Sequence, residues 1–188
     1  MRIILNSFEL ISLMAFTRDL VALAAPFIGA PYAVGSPSEG APFWLVNPPY
    51  TCPSFDEVQK EGVNCVGVVN LIRLQCGRQP LFNPAEHFEK EGKLIPFSPT
   101  DIPLFALLAR KYRSSEDPGH YAIYMGDNNI LHSYVRVEPG VSYEETCAGD
   151  DVLLPGVVIE PLYHSQSWFD TNTTTGTYTH ICKVEDWL

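Results

Sequence analysis

Apolar and polar positions along the first half of the chain predict helices separated by a long loop. Residues 17–29 are typical of a helix with Thr17 as its N-cap. Residues 64–75 place apolar side chains at near-helical spacing, and Gly77 is a natural stop for that helix. Residues 84–92 predict one more short helix. The first helix is followed by a loop of about 25 residues, rich in Gly, Pro and aromatic side chains, and loops of that length are usually functional.

The pattern changes to that of β-strands from residue 117 onward. Residues 120–139 carry β-branched and aromatic side chains on both sides of a Gly-Asp-Asn-Asn turn, which is typical of a hairpin. Residues 151–163 and 175–187 are further strand candidates. Because helices come first and strands follow, the sequence predicts an α+β fold with N-terminal helices packed on a C-terminal antiparallel β-sheet. We expect residues 1–188 to form a single domain.

Composition and charge argue against several kinds of partner. Apolar residues make up 46% of the chain and charged residues 18%, as in globular proteins. The net charge is −10 and the basic residues are scattered, which argues against nucleic acid and against an anionic membrane surface. The amino terminus lacks the apolar core of a signal peptide. We therefore expect a monomer that is cytoplasmic as synthesised or exported by a non-classical route.

The cysteines do not follow a metal-binding pattern. Their number is odd, so at least one thiol stays unpaired if the others form disulfides. No Cys-x-x-Cys pair occurs, and we expect neither a metal site nor a cofactor. The sequence leaves the disulfide state of the cysteines other than Cys65 open. The five are Cys52, Cys65, Cys76, Cys147 and Cys182.

Cys65 differs from the other cysteines in its setting. It lies in the predicted first turn of the 64–75 helix, where free backbone N–H groups and the helix dipole stabilise a negative charge. We therefore expect the pKa of its thiol to be lowered, which would make it a nucleophile. Gly67 leaves room for a substrate to approach. The alternative interpretation is a small buried hydrophobe, as for most free cysteines.

A cysteine nucleophile needs a base, and the base needs an orienting group. His120 is the best-placed histidine because it opens the first strand of the hairpin, and His132 lies on the return strand. A three-residue loop centred on Gly126 would make the two histidines face each other on one side of the sheet. A turn centred between Asn128 and Asn129 would separate them along the strand. The sequence does not choose between these registers.

Several segments resemble the NlpC-type papain-like cysteine peptidases, which mostly cut bacterial peptidoglycan stem peptides. FIGAPYAVGS at 27–36 is similar to the Gly-x-Pro-Tyr-x-x-Gly-Gly segment of that family through Tyr32. NCVG at 64–67 is similar to its Asp-Cys-Ser-Gly motif at a helix start. HYAIYMGDN at 120–128 resembles the strand that begins with the catalytic base, and ILHSY at 130–134 resembles the segment with the second histidine. The segments appear in the order found in the family.

The resemblance implies a papain-like NlpC-type fold and a hydrolase that cleaves amide bonds in cell-wall stem peptides. It implies that Cys65 attacks the amide carbonyl to form a thioester and that His120 carries the proton. His132 would orient His120. The backbone N–H of Cys65 and the nearby Tyr32 would stabilise the oxyanion. The family's chemistry requires no metal or organic cofactor.

The chain also departs from the family pattern. Asn64 and Val66 stand where Asp and Ser are usual, so we expect a more apolar substrate wall, completed by Gly67. We interpret residues 36–61, which include Trp44, as an inserted lid-like loop that also contacts substrate. These departures leave two alternatives open. One is a cysteine amidase, deamidase or acyltransferase acting on a target outside the cell wall, and the other is a non-catalytic binding module with the same fold.

Overall fold

The computed structural model describes residues 20–33, 50–110, 119–134, 156–162 and 178–188. Residues 20–24 are helical and lead into the 3-10 turn Ala25–Phe27, in agreement with the predicted first helix. Its predicted N-cap, Thr17, lies outside the described residues. Within the described part, no helix has the length and apolarity needed to cross a membrane.

Besides the helical residues 20–24, four α-helices are present in the described part of the chain, and two of these four were expected. The predicted helices are confirmed as α2 and α3. Helix α1 falls within a segment predicted to be loop, and α4 within a predicted strand, so both expectations were wrong there. Ser54 and Glu57 form a reciprocal capping box that starts α1. The bounds are Phe55–Glu61 (α1), Cys65–Gln75 (α2), Pro84–Lys90 (α3) and Val184–Trp187 (α4).

The strands form one six-stranded sheet in the order β1-β6-β2-β3-β4-β5, and every neighbouring pair is antiparallel. The expected α+β class, with helices packed on an antiparallel sheet, is confirmed. The strands are Ile95–Pro96 (β1), Leu107–Arg110 (β2), His120–Gly126 (β3), Asn129–Tyr134 (β4), Gly156–Pro161 (β5) and His180–Cys182 (β6).

The hairpin between β3 and β4 contains a β-bulge. Asp127 and Asn128 form its two-residue turn with positive φ angles of 49° and 59°, the geometry of a type I′ turn. Gly126 pairs with Asn129 beside the turn, but Tyr124 pairs with Ile130, so β3 carries one extra residue. Neither register considered from the sequence is correct, since the turn lies between the two proposed centres.

The sheet has two buried faces. Helix α2 packs against β3 and β4 on the first face. The sheet residues that join α2 in one apolar cluster there are Leu107, Ala109, Tyr121, Ile123, Leu131, Val157 and Cys182. The second face carries a separate cluster formed by Ala106, Leu108, Ala122, Ile130, Tyr178 and Ile181. The alternation follows from the period of two along a strand.

Candidate active site

The first turn of α2 presents Cys65 at its start. Asn64 is the N-cap, and its Oδ1 accepts a hydrogen bond of 2.8 Å from the backbone N–H of Gly67. This cap satisfies the third N–H of the helix and leaves those of Cys65 and Val66 directed at the thiol. Asn64 therefore acts as a buried helix cap, and Cys65 occupies the first helical position, as the sequence predicted.

The thiol of Cys65 lies between α2 and the beginning of β3. Its side chain is 8% exposed, and the backbone N–H of Tyr121 also donates to it. Burial raises the pKa of Cys65 to about 11, although these N–H groups and the charge of Arg110 act to lower it. The expectation of a lowered pKa was wrong, because loss of water around the sulfur outweighs the helix terminus.

Alkylation of Cys65 by iodoacetamide is expected to rise tenfold per pH unit up to about pH 10, because its pKa is raised to about 11. At pH 7 only about 0.01% of such a thiol is thiolate, against roughly 3% for a free cysteine. Mass spectrometry of the modified peptide between pH 6 and 10 measures this dependence. The exposed Cys52 and Cys76 provide comparators in the same sample. A rate for Cys65 that levels off below pH 8 would contradict the buried, protonated resting state.

The two candidate histidines are joined in a chain of hydrogen bonds that ends on a carboxylate. His120 Nε2 lies 2.8 Å from His132 Nδ1, and both rings are buried. His132 Nε2 lies 2.9 Å from Oε1 of Glu160 on β5. The rings meet edge to face with centroids 5.1 Å apart. His120 and His132, both predicted from the sequence, are thus brought together, and Glu160 extends the chain.

The β-bulge determines that the two histidines share a face of the sheet. If the register of the Gly126–Asn129 pair continued along β3 without the bulge, His120 and His132 would lie on opposite faces of the sheet. The extra residue shifts the register by one, so that Ile123 pairs with Leu131. His120 then lies diagonally across from His132 on the same face, close enough for the ring nitrogens to bond.

The direction of the hydrogen bonds identifies the basic nitrogen. A carboxylate only accepts, so His132 Nε2 donates to Glu160. With a neutral ring, His132 Nδ1 is then an acceptor, and His120 Nε2 donates to it. The lone pair of the neutral His120 is therefore on Nδ1. In this arrangement, Nδ1 is the nitrogen of His120 that can accept a proton.

The electrostatic surroundings keep His120 uncharged. Burial lowers its pKa well below 6.5, and the neighbouring His132 and Arg110 lower it further. Arg110 is itself buried and pairs with His120 in the register of β2 and β3. A neutral imidazole at pH 7 is the form that acts as a general base.

Comparison with known proteins gives a likeness in structure but not in sequence. No family model matches the sequence, and no curated protein matches it. Among solved structures, the chain is similar to the NlpC/p60 domain of the peptidoglycan hydrolase SagA. The TM-score is 0.46 at 20% identity, with 89% of this chain and 97% of that domain covered.

The remaining predicted residues lie near the start of α2 or outside the described part. The segment with Tyr32 runs close beside Gly62. A Cβ atom at Gly62 would lie 2.7 Å from the carbonyl oxygen of Pro31, and the φ angle of Gly62 is 76°. Tyr32 therefore lies next to the turn that leads into α2. Val66 is buried in the apolar cluster of α2, and Gly67 donates to the cap. Trp44 lies outside the described residues.

The proposed lid at 36–61 is described only from residue 50 onward. There it contains helix α1, and the rest lies outside the described residues, as does Cys147. Cys52, Cys65, Cys76 and Cys182 are all free thiols. Within the described residues, no group of three or more His, Cys, Asp or Glu side chains could hold a metal ion.

Four further residues of the site were missed by the sequence analysis. Glu160 accepts from His132, and Tyr134 donates to the second carboxylate oxygen of Glu160 at 3.2 Å. Tyr134 also stacks on His132, with centroids 4.7 Å apart. The missed signal was the period of two along β4, which places Ile130, His132 and Tyr134 on one face of the sheet. Glu160 pairs with Ile130 and therefore lies on the same face. Arg110 and Tyr178 complete the group.

Proposed function

We propose that this protein is an NlpC-type cysteine hydrolase that cleaves amide bonds in peptidoglycan stem peptides, with Cys65 as nucleophile and His120 as base. The observation that carries the proposal is the hydrogen-bond chain from His120 through His132 to Glu160, because His120 directly precedes Tyr121, whose backbone N–H donates to the thiol. The family motifs around Tyr32, Cys65 and both histidines support the assignment of the substrate.

The burial of both reacting groups favours proton transfer during the attack itself. A resting thiolate paired with an imidazolium would place two charges where water is largely excluded. In the proposed reaction, Sγ of Cys65 forms a bond to the carbonyl carbon as its proton passes to His120 Nδ1. His120 then gives this proton to the leaving amine as the C–N bond breaks, and a thioester remains.

Water completes the proposed cycle. A water molecule gives a proton to His120 and attacks the thioester carbonyl, and the C–S bond breaks as the thiol regains the proton. His132 keeps the imidazole in the required tautomer, and Glu160 fixes the tautomer of His132 in turn. The backbone N–H groups at the start of α2 would stabilise the oxyanion, as helix N-termini do for other anions.

Digestion of purified peptidoglycan tests the proposed substrate. We expect the protein to release stem-peptide fragments with new amino and carboxyl ends, identified by mass spectrometry, and a Cys65→Ala variant to release none. An amidase or acyltransferase with another target would release no fragment, yet would be acylated at Cys65 by an activated ester. A protein that does neither would be a binding module, and the proposal would be wrong.

A further inference from the structure

The hydroxyl of Tyr178 is a buried polar group that finds no hydrogen-bond partner among the described residues. The residue precedes β6 and is 8% exposed. An unsatisfied buried hydroxyl costs free energy in the folded state, and such groups in native proteins often have a catalytic or ligand-binding role. The hydroxyl of Tyr178 therefore calls for a functional explanation.

Tyr178 lies among the reacting groups. Its ring centroid is 6.0 Å from that of His120, with the planes inclined by 33°. Cys65, Glu160 and Arg110 all act electrostatically on its hydroxyl. The ring also contacts Phe97, 6.3 Å away, which holds it on the second face of the sheet. The ring thus lies beside the proposed base, and its hydroxyl is electrostatically coupled to the proposed nucleophile.

The hydroxyl is a permanent donor. Burial raises the pKa of Tyr178 well above 10, so the group keeps its proton throughout the neutral range. A donor with no acceptor in the resting site gains one when negative charge develops on a substrate oxygen. A hydrogen bond made only in the transition state accelerates a reaction, whereas one made equally in the ground state does not.

We propose that Tyr178 is a catalytic residue whose hydroxyl donates a hydrogen bond to the oxyanion formed when Cys65 attacks a carbonyl. The inference rests on the proposed cysteine chemistry but not on the peptidoglycan substrate. Tyr178 thereby adds a side-chain donor to the backbone N–H groups at the start of α2. Its place outside all of the family-like segments explains why the motifs do not reveal it.

Two reagents and two variants test the role of Tyr178. p-Nitrophenyl acetate acylates Cys65 through an oxyanion, whereas iodoacetamide alkylates the same sulfur without one. In Tyr178→Phe we expect acylation to slow about 10- to 1,000-fold, with alkylation at the same pH unchanged. The melting temperature should stay the same or rise, because an unsatisfied hydroxyl is removed.

Tyr124→Phe is the matched control. Its hydroxyl accepts from the backbone N–H of Asn128 at the exposed end of the hairpin, away from the thiol. This variant should change neither reaction. A Tyr178→Phe variant that is stabilised but is acylated at the wild-type rate would overturn the inference. Equal losses in acylation and alkylation would also overturn it, because the hydroxyl would then act on the sulfur and not on the oxyanion.

The outcomes also separate the inference from the proposed substrate. If the wild-type protein releases nothing from peptidoglycan but the two reagents respond differently to Tyr178→Phe, the substrate is wrong and the role of Tyr178 stands. A wild-type protein that p-nitrophenyl acetate does not acylate at Cys65 would overturn the inference itself.

Discussion

Cys65→Ala is expected to reduce kcat/KM by at least ~10⁴-fold, since removal of a nucleophile leaves only binding and oxyanion stabilisation. The protein should remain folded. Only one sulfur atom is removed from the start of α2, and the expected cost is about 1 kcal/mol, or a few degrees in Tm. Release of peptidoglycan fragments and the acylation burst with p-nitrophenyl acetate measure activity, and thermal unfolding measures stability.

Cys76→Ala provides the control for this variant. Cys76 is the exposed C-cap of the same helix, so the two substitutions remove the same group from opposite ends of α2. Cys76→Ala should leave the rate unchanged. Activity of Cys65→Ala above a tenth of the wild type, or a larger loss in Cys52→Ala than in Cys65→Ala, would contradict the assignment of the nucleophile.

The elements with strong periodicity were predictable from the sequence. Helix α2 has apolar residues at helical spacing, a capping residue at Asn64 and a glycine beyond its end, and all three signals agree with the fold. The hairpin was equally clear, since Asp127 and Asn128 tolerate the positive φ that a two-residue turn requires. Local signals that agree with one another therefore located the two elements that carry the site.

The sequence did not predict the short helices, because their local signals are weak or conflict with the composition of the surrounding segment. Helix α1 has a readable capping box at Ser54 and Glu57, but it follows a proline-rich segment that suggests loop. Helix α4 has only four residues and follows β6 directly. Its position depends on Trp187, which is fully buried and donates through Nε1 to the carbonyl of Phe105, 82 residues away in sequence. Such a tertiary contact leaves no local pattern.

The site itself was only partly predictable. Cys65, His120 and His132 were proposed from the sequence, but the geometry of the two histidines depends on a one-residue bulge that neither predicted register contained. Glu160 belongs to a strand far along the chain and reaches His132 only through the pairing of β4 with β5. The protonation of Cys65 was mispredicted because a helix terminus is visible in sequence, whereas the burial of the sulfur is a property of the whole fold.

The raised pKa of Cys65 and the lowered pKa of His120 have one cause and one consequence. Burial disfavours the charged form of each group, so both are neutral at pH 7. A neutral pair resists alkylation and oxidation, which require thiolate. In the proposed mechanism it still reacts with a bound carbonyl, because a donor such as the N–H groups of α2 compensates the charge as it forms. The proposed mechanism therefore makes reactivity depend on a correctly placed substrate.

His120→Ala is expected to lower kcat about 10³- to 10⁴-fold, since no other described group is placed to take the thiol proton. The residual rate should rise tenfold per pH unit, because the variant must rely on spontaneous ionisation of a thiol whose pKa is about 11. The wild type should show a flat profile above pH 6.5, where its buried imidazole is already neutral. Pre-steady-state acylation across pH 6 to 10 measures both profiles.

His132→Ala distinguishes the base from the residue that orients it. Its loss should be one to two orders of magnitude smaller than that of His120→Ala, as for the orienting member of other catalytic groups, and its flat pH profile should persist. His87→Ala is the matched control, because that ring lies on the surface of α3, where it contacts Glu91 and Phe88. A loss in His132→Ala that equals or exceeds that of His120→Ala would exchange the roles, since the sulfur would then have to be deprotonated by the ring that Glu160 holds.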